Sequence, residues 1–364
     1  MKRDLFVFAG QSNMVGACAY PPKKKVSLRN SFEYKHTPKR LGAKSGSFVS
    51  TVYPVGEFSY IDLKSAYAPD MVDENGLSKL NNYRENAYFS SSMSNLKSEA
   101  ERSVHPFAIY SESTAPLGAT LAPFLVEEWE RLGGACAYAH IAKGGVPIGY
   151  YFTDEMVKEY EVVIEVYNEK HGTSYSPDIH ERIEGAADYF LEKCRDFFED
   201  AKSAYPEDEL SNKCLFWLQG EADAKYASVE YQLRLEVLWK EAKKIGFTHF
   251  FIIRVDYFGS PLIHRVMRAQ ENFTDSNSDV YILTRAASYL TFPGQEEDGW
   301  FKIAPGEEYR NCRDSYFGLS NDHINEKGFI LIAKRSAQNL YRVLVEGKEP
   351  ILEEENILPL IIGE

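Results

Sequence analysis

Five short apolar runs, separated by segments of helical periodicity, leave this sequence few folds to choose from. The runs span 5–9, 135–142, 214–218, 249–255 and 280–284. Most are continuously apolar rather than alternating, which is the pattern of parallel strands covered on both faces. Between them, Ala187, Phe190, Leu191, Cys194, Phe197, Phe198 and Ala201 recur at helical spacing across 187–205. Tyr231, Leu235, Leu238, Trp239, Ala242 and Ile245 do the same before Gly246, which suits the left-handed position after a helix. A last stripe carries Phe329, Ala333, Ala337, Leu340, Tyr341 and Leu344. Strands alternating with helices imply right-handed βαβ crossovers. The expectation is an α/β fold, a three-layer α/β/α sandwich around a five-stranded parallel sheet. Ligands of such sheets bind beyond the carboxyl ends of the strands, so the chemistry is expected there.

Two stretches break this rhythm. Residues 20–105 are polar and rich in Ser, Tyr, Lys and Asn, and residues 149–182 are rich in Tyr, Glu and Asp. Both start just past a strand's carboxyl end. A long structureless loop inside a compact domain is unusual unless it is functional, so both are read as ordered insertions that shape a cleft. The organisation expected is one domain over 1–347 with these two insertions, then a tail at 348–364. A chain of 364 residues suits one large domain of this kind.

The formal charge of −13 disfavours sequence-independent nucleic-acid binding, which depends on Lys and Arg neutralising phosphates. It also disfavours an anionic membrane surface, and leaves an uncharged small ligand as the easier partner. Five Cys at wide spacing and without a C-x-x-C pair suggest neither a disulfide framework nor a zinc site. Cys136, Cys194 and Cys214 fall in apolar runs and read as reduced core residues. The eight His are scattered with no ligand spacing, so no metal or other cofactor is expected. Met1-Lys2-Arg3-Asp4 leads directly into the first apolar run, with no signal-peptide pattern. The expected location is therefore cytoplasmic.

Four segments at strand ends carry candidate chemistry. In Gly10-Gln11-Ser12-Asn13-Met14, a Ser two residues past a buried strand and behind a Gly is either an exposed nucleophile or a helix N-cap. Lys143-Gly144-Gly145-Val146 offers close backbone approach and a free N–H, or simply a turn. Trp217-Leu218-Gln219-Gly220-Glu221-Ala222-Asp223 combines an amide that can face an oxyanion with two carboxylates. The same acids at a helix start would also favour its dipole. In Ser320-Asn321-Asp322-His323-Ile324-Asn325-Glu326-Lys327-Gly328, His323 precedes the last helix as a general base or as a capping residue.

Together, the order and content of these blocks resemble the SGNH-hydrolase superfamily. The resemblance is closest to its sialate O-acetylesterase-related branch, which includes carbohydrate esterase family six. Gly10-Gln11-Ser12-Asn13-Met14 resembles the nucleophile block, Gly144-Gly145 the oxyanion Gly block, and Trp217 with Gln219-Gly220-Glu221 and Asp223 a W-x-Q-G-E-x-D block. His323, Asn325 and Gly328 resemble the final His block, and Arg268-Ala269-Gln270 an R-x-A-Q stretch. The resemblance implies a flavodoxin-like sandwich and hydrolysis of acetyl esters on a sugar or oligosaccharide, with Ser12 as nucleophile and His323 as base. It implies oxyanion donors from the backbone of Ser12 and Gly145 and from the side chain of Gln219, with Gln11, Asn13, Gly144 and Asp223 near the substrate. The family usually has an Asp three residues before its His, and here that position is Ser320. Asp322 or Glu221 then supplies the acid, or the ring is held by a main-chain carbonyl. Tyr53, Tyr60, Tyr67, Tyr150 and Tyr151, in or beside the insertions, are candidate stacking faces for a sugar. The other readings are a non-sugar acyl ester as substrate, and a carbohydrate-binding protein of weak activity.

Overall fold

The first strand, β1 (Lys2–Gly10), is buried from Arg3 onward because it lies between two other strands and under helices on both faces. The computed structural model describes residues 1–15, 24, 26–35, 46–53, 120–179, 182, 185–256, 261–291, 323–324 and 326–352. After β1 come α1 (Ser12–Val15), β2 (Val26–Lys35), β3 (Ser47–Tyr53), α2 (Leu121–Arg131) and β4 (Cys136–His140). Then follow a 3-10 turn (Ile148–Tyr151), α3 (Asp154–His171), α4 (Ala186–Ala204), β5 (Glu209–Leu218) and a second 3-10 turn (Glu221–Asp223). The remaining described elements include α5 (Ser228–Lys244), β6 (His249–Ile253), α6 (His264–Asp275), β7 (Val280–Thr284), α7 (Ala286–Thr291) and α8 (Glu326–Leu344).

The strand order is β3-β2-β4-β1-β5-β6-β7. All pairs are parallel except β2 with β3. The sheet thus has six parallel strands and an antiparallel edge strand, where the sequence pattern indicates five. The two additional strands lie in the polar 20–105 stretch. In β2, Val26, Leu28, Ser31 and Tyr34 are buried while Ser27, Arg29 and Asn30 are exposed. A strand this near the sheet's edge needs only a thin apolar face, so its sequence reads as polar.

Aromatic side chains divide the sheet's two faces. On one, Phe6, Phe8, Phe216 and Phe251 pack ring to ring across neighbouring strands, and Trp129 of α2 closes over Phe6 and against Tyr341 of α8. On the other, Trp217 and Phe250 meet Tyr151, Trp239 of α5 and Phe273 of α6. Phe190 of α4 reaches this layer through Tyr151. Helices thus pack against both faces of the sheet. Cys136, Cys194 and Cys214 are free thiols buried within it.

The second interruption also has regular structure. Helix α3 starts at Thr153, whose hydroxyl accepts from Met156 N at 3.3 Å, and ends at Gly172 in the left-handed region at φ 66°. Its buried residues Met156, Tyr160 and Ile164 are a narrow i, i+4, i+8 stripe packed on α5. Acidic residues on the other faces hide that stripe in the sequence. Tyr150 and Tyr151 are 1% and 0% exposed, so neither offers a stacking face to a sugar. Tyr60 and Tyr67 lie outside the described residues, and of Tyr53 only its place in β3 is described. No described helix is long and apolar enough to cross a membrane.

Candidate active site

Chain order reverses at β1, whose neighbours are β4 on one side and β5 on the other. The crevice of an open parallel sheet lies at such a switch point, beyond the strands' carboxyl ends. Gly10 ends β1 there with φ 146°, and a Cβ on it would meet Leu218 O at 2.0 Å. Only glycine fits, and the close approach lets Gln11 N donate to Leu218 O at 3.1 Å. Tyr151 secures the turn from beneath: its hydroxyl donates to Gly10 O at 2.6 Å and accepts from Gly10 N at 3.2 Å. Gln11, Asn13 and Met14 are buried beyond this turn, whereas Ser12 is half-exposed at the first position of α1.

The facing segment follows β4. Lys143 N donates to Gly10 O at 3.1 Å, which brings the Gly144-Gly145 turn alongside the Ser12 turn. Gly145 is exposed at φ 71°, with nothing within 4 Å of a notional Cβ. Gly144 beside it is half-buried. Gln219, at the end of β5, is fully buried. Its Nε2 donates to Asp223 Oδ2 and to Val146 O at 3.2 Å, with Gln11 Oε1 at 3.4 Å, and its Oε1 accepts from Tyr231 Oη at 2.7 Å. Both amide hydrogens are thereby committed inside the protein. Through these bonds Gln219, expected as an oxyanion donor, ties the glycine turn to the end of β5.

Asp223 is also fully buried. Its Oδ2 accepts from Ile148 N at 2.8 Å, and the Arg234 guanidinium lies 3.7 Å from its Oδ1. Burial pushes its carboxyl up to about 6, against the hydrogen bonds and the Arg234 charge that favour the ionised form. Asp223 is therefore an internal anchor for the 148–151 turn.

Asn13 is the junction of the site. Its Nδ2 donates to Glu221 Oε1 at 2.9 Å and to Asp256 Oδ1 at 3.3 Å, while its Oδ1 accepts from Ile324 N at 3.0 Å. One side chain thus fastens the residue after Ser12 to the residue after His323. His323 is half-buried at this point, ahead of α8. Glu221 is half-exposed as a residue, but its Oε2 is buried; Asp256 is buried completely. Burial raises both carboxyls, and in Asp256 the neighbouring Glu221 charge adds to the effect. Asn13 is 1% exposed, and all the bonds described for it are internal. Gln11 is buried too, its Oε1 accepting from Ala222 N at 3.3 Å.

Ser12, Gly144, Gly145, Gln219, Glu221, Asp223 and His323 all belong to the segments converging at this crevice. Asp322 lies outside the described residues, as do Ser320 and Asn325. Several contributors carry no motif. Asp256 follows β6 directly, and an acid immediately after an apolar strand is the signal available for it. Tyr151 and Tyr231 look like ordinary aromatics in the sequence. Gln270, of the Arg268-Ala269-Gln270 stretch, accepts from Val255 N at 3.0 Å and donates to Gln219 O at 3.1 Å, so it clamps the ends of β5 and β6.

No family model matches the chain, and no curated protein matches it. Among solved structures it is similar to NanS, with a TM-score of 0.51 and 11% identity over 95% of this chain and 98% of that one. It is also similar to a protein from Arabidopsis thaliana, with a TM-score of 0.44 and 12% identity over 93% of this chain and 97% of that one. At 11% identity the likeness to NanS is one of fold.

Proposed function

We propose that this chain is a serine esterase of the SGNH type that removes acetyl groups from carbohydrates. The observation that carries the reading is the Asn13 junction. Ile324 N donates to Asn13 Oδ1 at 3.0 Å, so His323 and the half-exposed Ser12 sit on chain segments fastened to each other at the sheet's carboxyl edge. Ser12 attacks the acetyl carbonyl as His323 takes its proton. The tetrahedral oxyanion is held by the backbone N–H groups of Ser12 and Gly145, each worth roughly 2.7–4 kcal/mol in such holes. His323 then protonates the departing sugar hydroxyl, and a water molecule releases acetate from Ser12. Support of the imidazolium, in place of the acid missing at 320, falls in this reading to Glu221 or Asp322. The sugar acetyl ester is the substrate class implied by the sequence blocks, and the strong negative charge of the chain suits an uncharged saccharide.

The test is acetate release from acetylated xylo-, manno- and sialyl-saccharides and from an aryl acetate, comparing wild type with Ser12→Ala. Turnover by the wild type alone supports the reaction class, and the preferred saccharide names the substrate. Hydrolysis of the aryl ester but of no saccharide would move the substrate outside carbohydrates. Inactivity of both proteins on every ester overturns the esterase reading.

A further inference from the structure

Two carboxyl groups converge on one amide nitrogen in the site. Asn13 Nδ2 donates to one oxygen of Glu221 and one of Asp256. The second oxygens, Glu221 Oε2 and Asp256 Oδ2, are buried and meet no hydrogen-bond donor among the described residues. Neither acid forms an ion pair with a described Lys or Arg: the nearby Arg254 is engaged by Glu271 at 2.7 Å and by Ser288 Oγ at 3.0 Å. Two carboxylates this close, and this far from water, do not both ionise. The two side chains are within hydrogen-bonding reach of each other, so one proton can be shared between them.

We propose that Asp256 is a positioning residue: it shares one proton with Glu221, so the two acids present one negative charge, which Asn13 holds against the His323 segment. The consequence for catalysis rests on the esterase reading of Ser12 and His323; the shared proton does not. In that reading the work of the acid missing at 320 is done by a pair from the ends of β5 and β6. The proton on the pair keeps the second charge out of a buried site. Both carboxyls are shifted upward by burial, as the pairing requires.

The linkage has a definite sign. The folded pair keeps a proton that the unfolded chain gives up near the ordinary carboxylate range, about pH 4. Stability therefore falls as pH rises from there until the pair itself ionises. The unfolding constant grows by up to about tenfold per pH unit across that window. Other ionisable groups on the surrounding elements are Asp223 with Arg234, Tyr231, the Arg254–Glu271–Arg285 cluster and His323. Asp223 also titrates upward-shifted, so only the difference between wild type and an Asp256 variant isolates the pair.

The experiment compares wild type, Asp256→Asn and Asp256→Leu by three readouts. The first is the infrared band of a protonated carboxyl at neutral pH, which wild type is expected to show and Asp256→Asn to lose. The second is stability against pH, where Asp256→Asn is expected to lose about tenfold per pH unit of slope relative to wild type. The third is hydrolysis of an aryl acetate. Asp256→Asn keeps an N–H donor to Glu221 and is expected to hold kcat within about tenfold, with its pH profile displaced; Asp256→Leu is expected to lose at least a hundredfold in kcat at similar KM. An unchanged infrared band with parallel pH slopes overturns the shared proton. A changed band and slope with wild-type kcat in both variants overturns the positioning role. If wild type hydrolyses no ester, the esterase reading fails, while the first two readouts still decide the pair. If Asp256→Leu does not fold, Asp256→Asn decides both: its band and slope decide the proton, and an undisplaced pH profile of hydrolysis overturns the positioning role.

Discussion

Replacing Asn13 by Ala removes three contacts in one substitution. Ile324 N loses its acceptor, and a buried donor left without a partner costs about 1–3 kcal/mol. Glu221 and Asp256 lose their common N–H donor, and a bond to a charged group contributes about 1.5–3 kcal/mol. The combined cost expected is about 3–5 kcal/mol, a large part of the roughly 5–15 kcal/mol by which folded proteins are stable. Equilibrium unfolding in urea measures this directly. With a slope of about 3 kcal/mol/M, the midpoint should fall by at least about 1 M. Asn13→Asp sharpens the test, because it keeps the shape and exchanges the donor for a third carboxyl. Its folded-state pKa is raised by the pair, so its penalty is absent below about pH 4 and grows as pH rises through the raised value. At pH 8 it should be less stable than Asn13→Ala, and at pH 4.5 the order should narrow or reverse. Labelling of Ser12 by an organophosphonate should slow in both variants. A midpoint shift under about 0.3 M for Asn13→Ala at unchanged slope would refute the claim that this side chain holds the site together.

Two further substitutions probe the walls around that junction. Gly10→Ala puts a Cβ 2.0 Å from Leu218 O at a φ of 146°, and strain with overpacking should cost about 3–5 kcal/mol, read as a lowered melting temperature. Asp223 keeps its proton up to about pH 6 in the folded chain and loses it near 3.8 when unfolded. It should therefore withdraw about 3 kcal/mol of stability as pH rises through that interval. Melting curves from pH 4 to 7 should show this slope flattened in Asp223→Asn; parallel curves would mean that Asp223 is already ionised.

The buried strands were the legible part of this fold, because a strand covered on both faces has no polar position to disguise it. β7 is found where its apolar run predicts, and β1, β5 and β6 contain or closely match theirs. β2 and β3 escaped for the opposite reason: beside Arg29, Asn30 and Glu33 their apolar face is too thin to read. Helix α3 was obscured similarly, its three buried side chains lying among acids. In the site, motif and geometry agree on which segments converge. They disagree on which side chains are presented and which are internal. A Gln before a Gly at a strand end looks the same whether its amide points outward or, like that of Gln219, into Asp223 and Val146. Asp256 has no motif around it, and its partner Glu221 lies far off in the sequence, so only tertiary proximity gives it meaning.

The centre of the sheet is occupied by its first strand, and this has a consequence for synthesis. Lys2 pairs with Glu209 and Gly10 with Leu218, so one edge of β1 has no partner until the ribosome has passed β5. At 5–20 residues per second that is a wait of about 10–40 s, during which an apolar strand with open hydrogen-bonding groups is exposed. β4 arrives earlier and covers only the other side. The nascent chain thus keeps one edge of its central strand open between completion of β4 and emergence of β5. Slow decoding across 141–208 would lengthen that interval without altering a single residue of the finished protein.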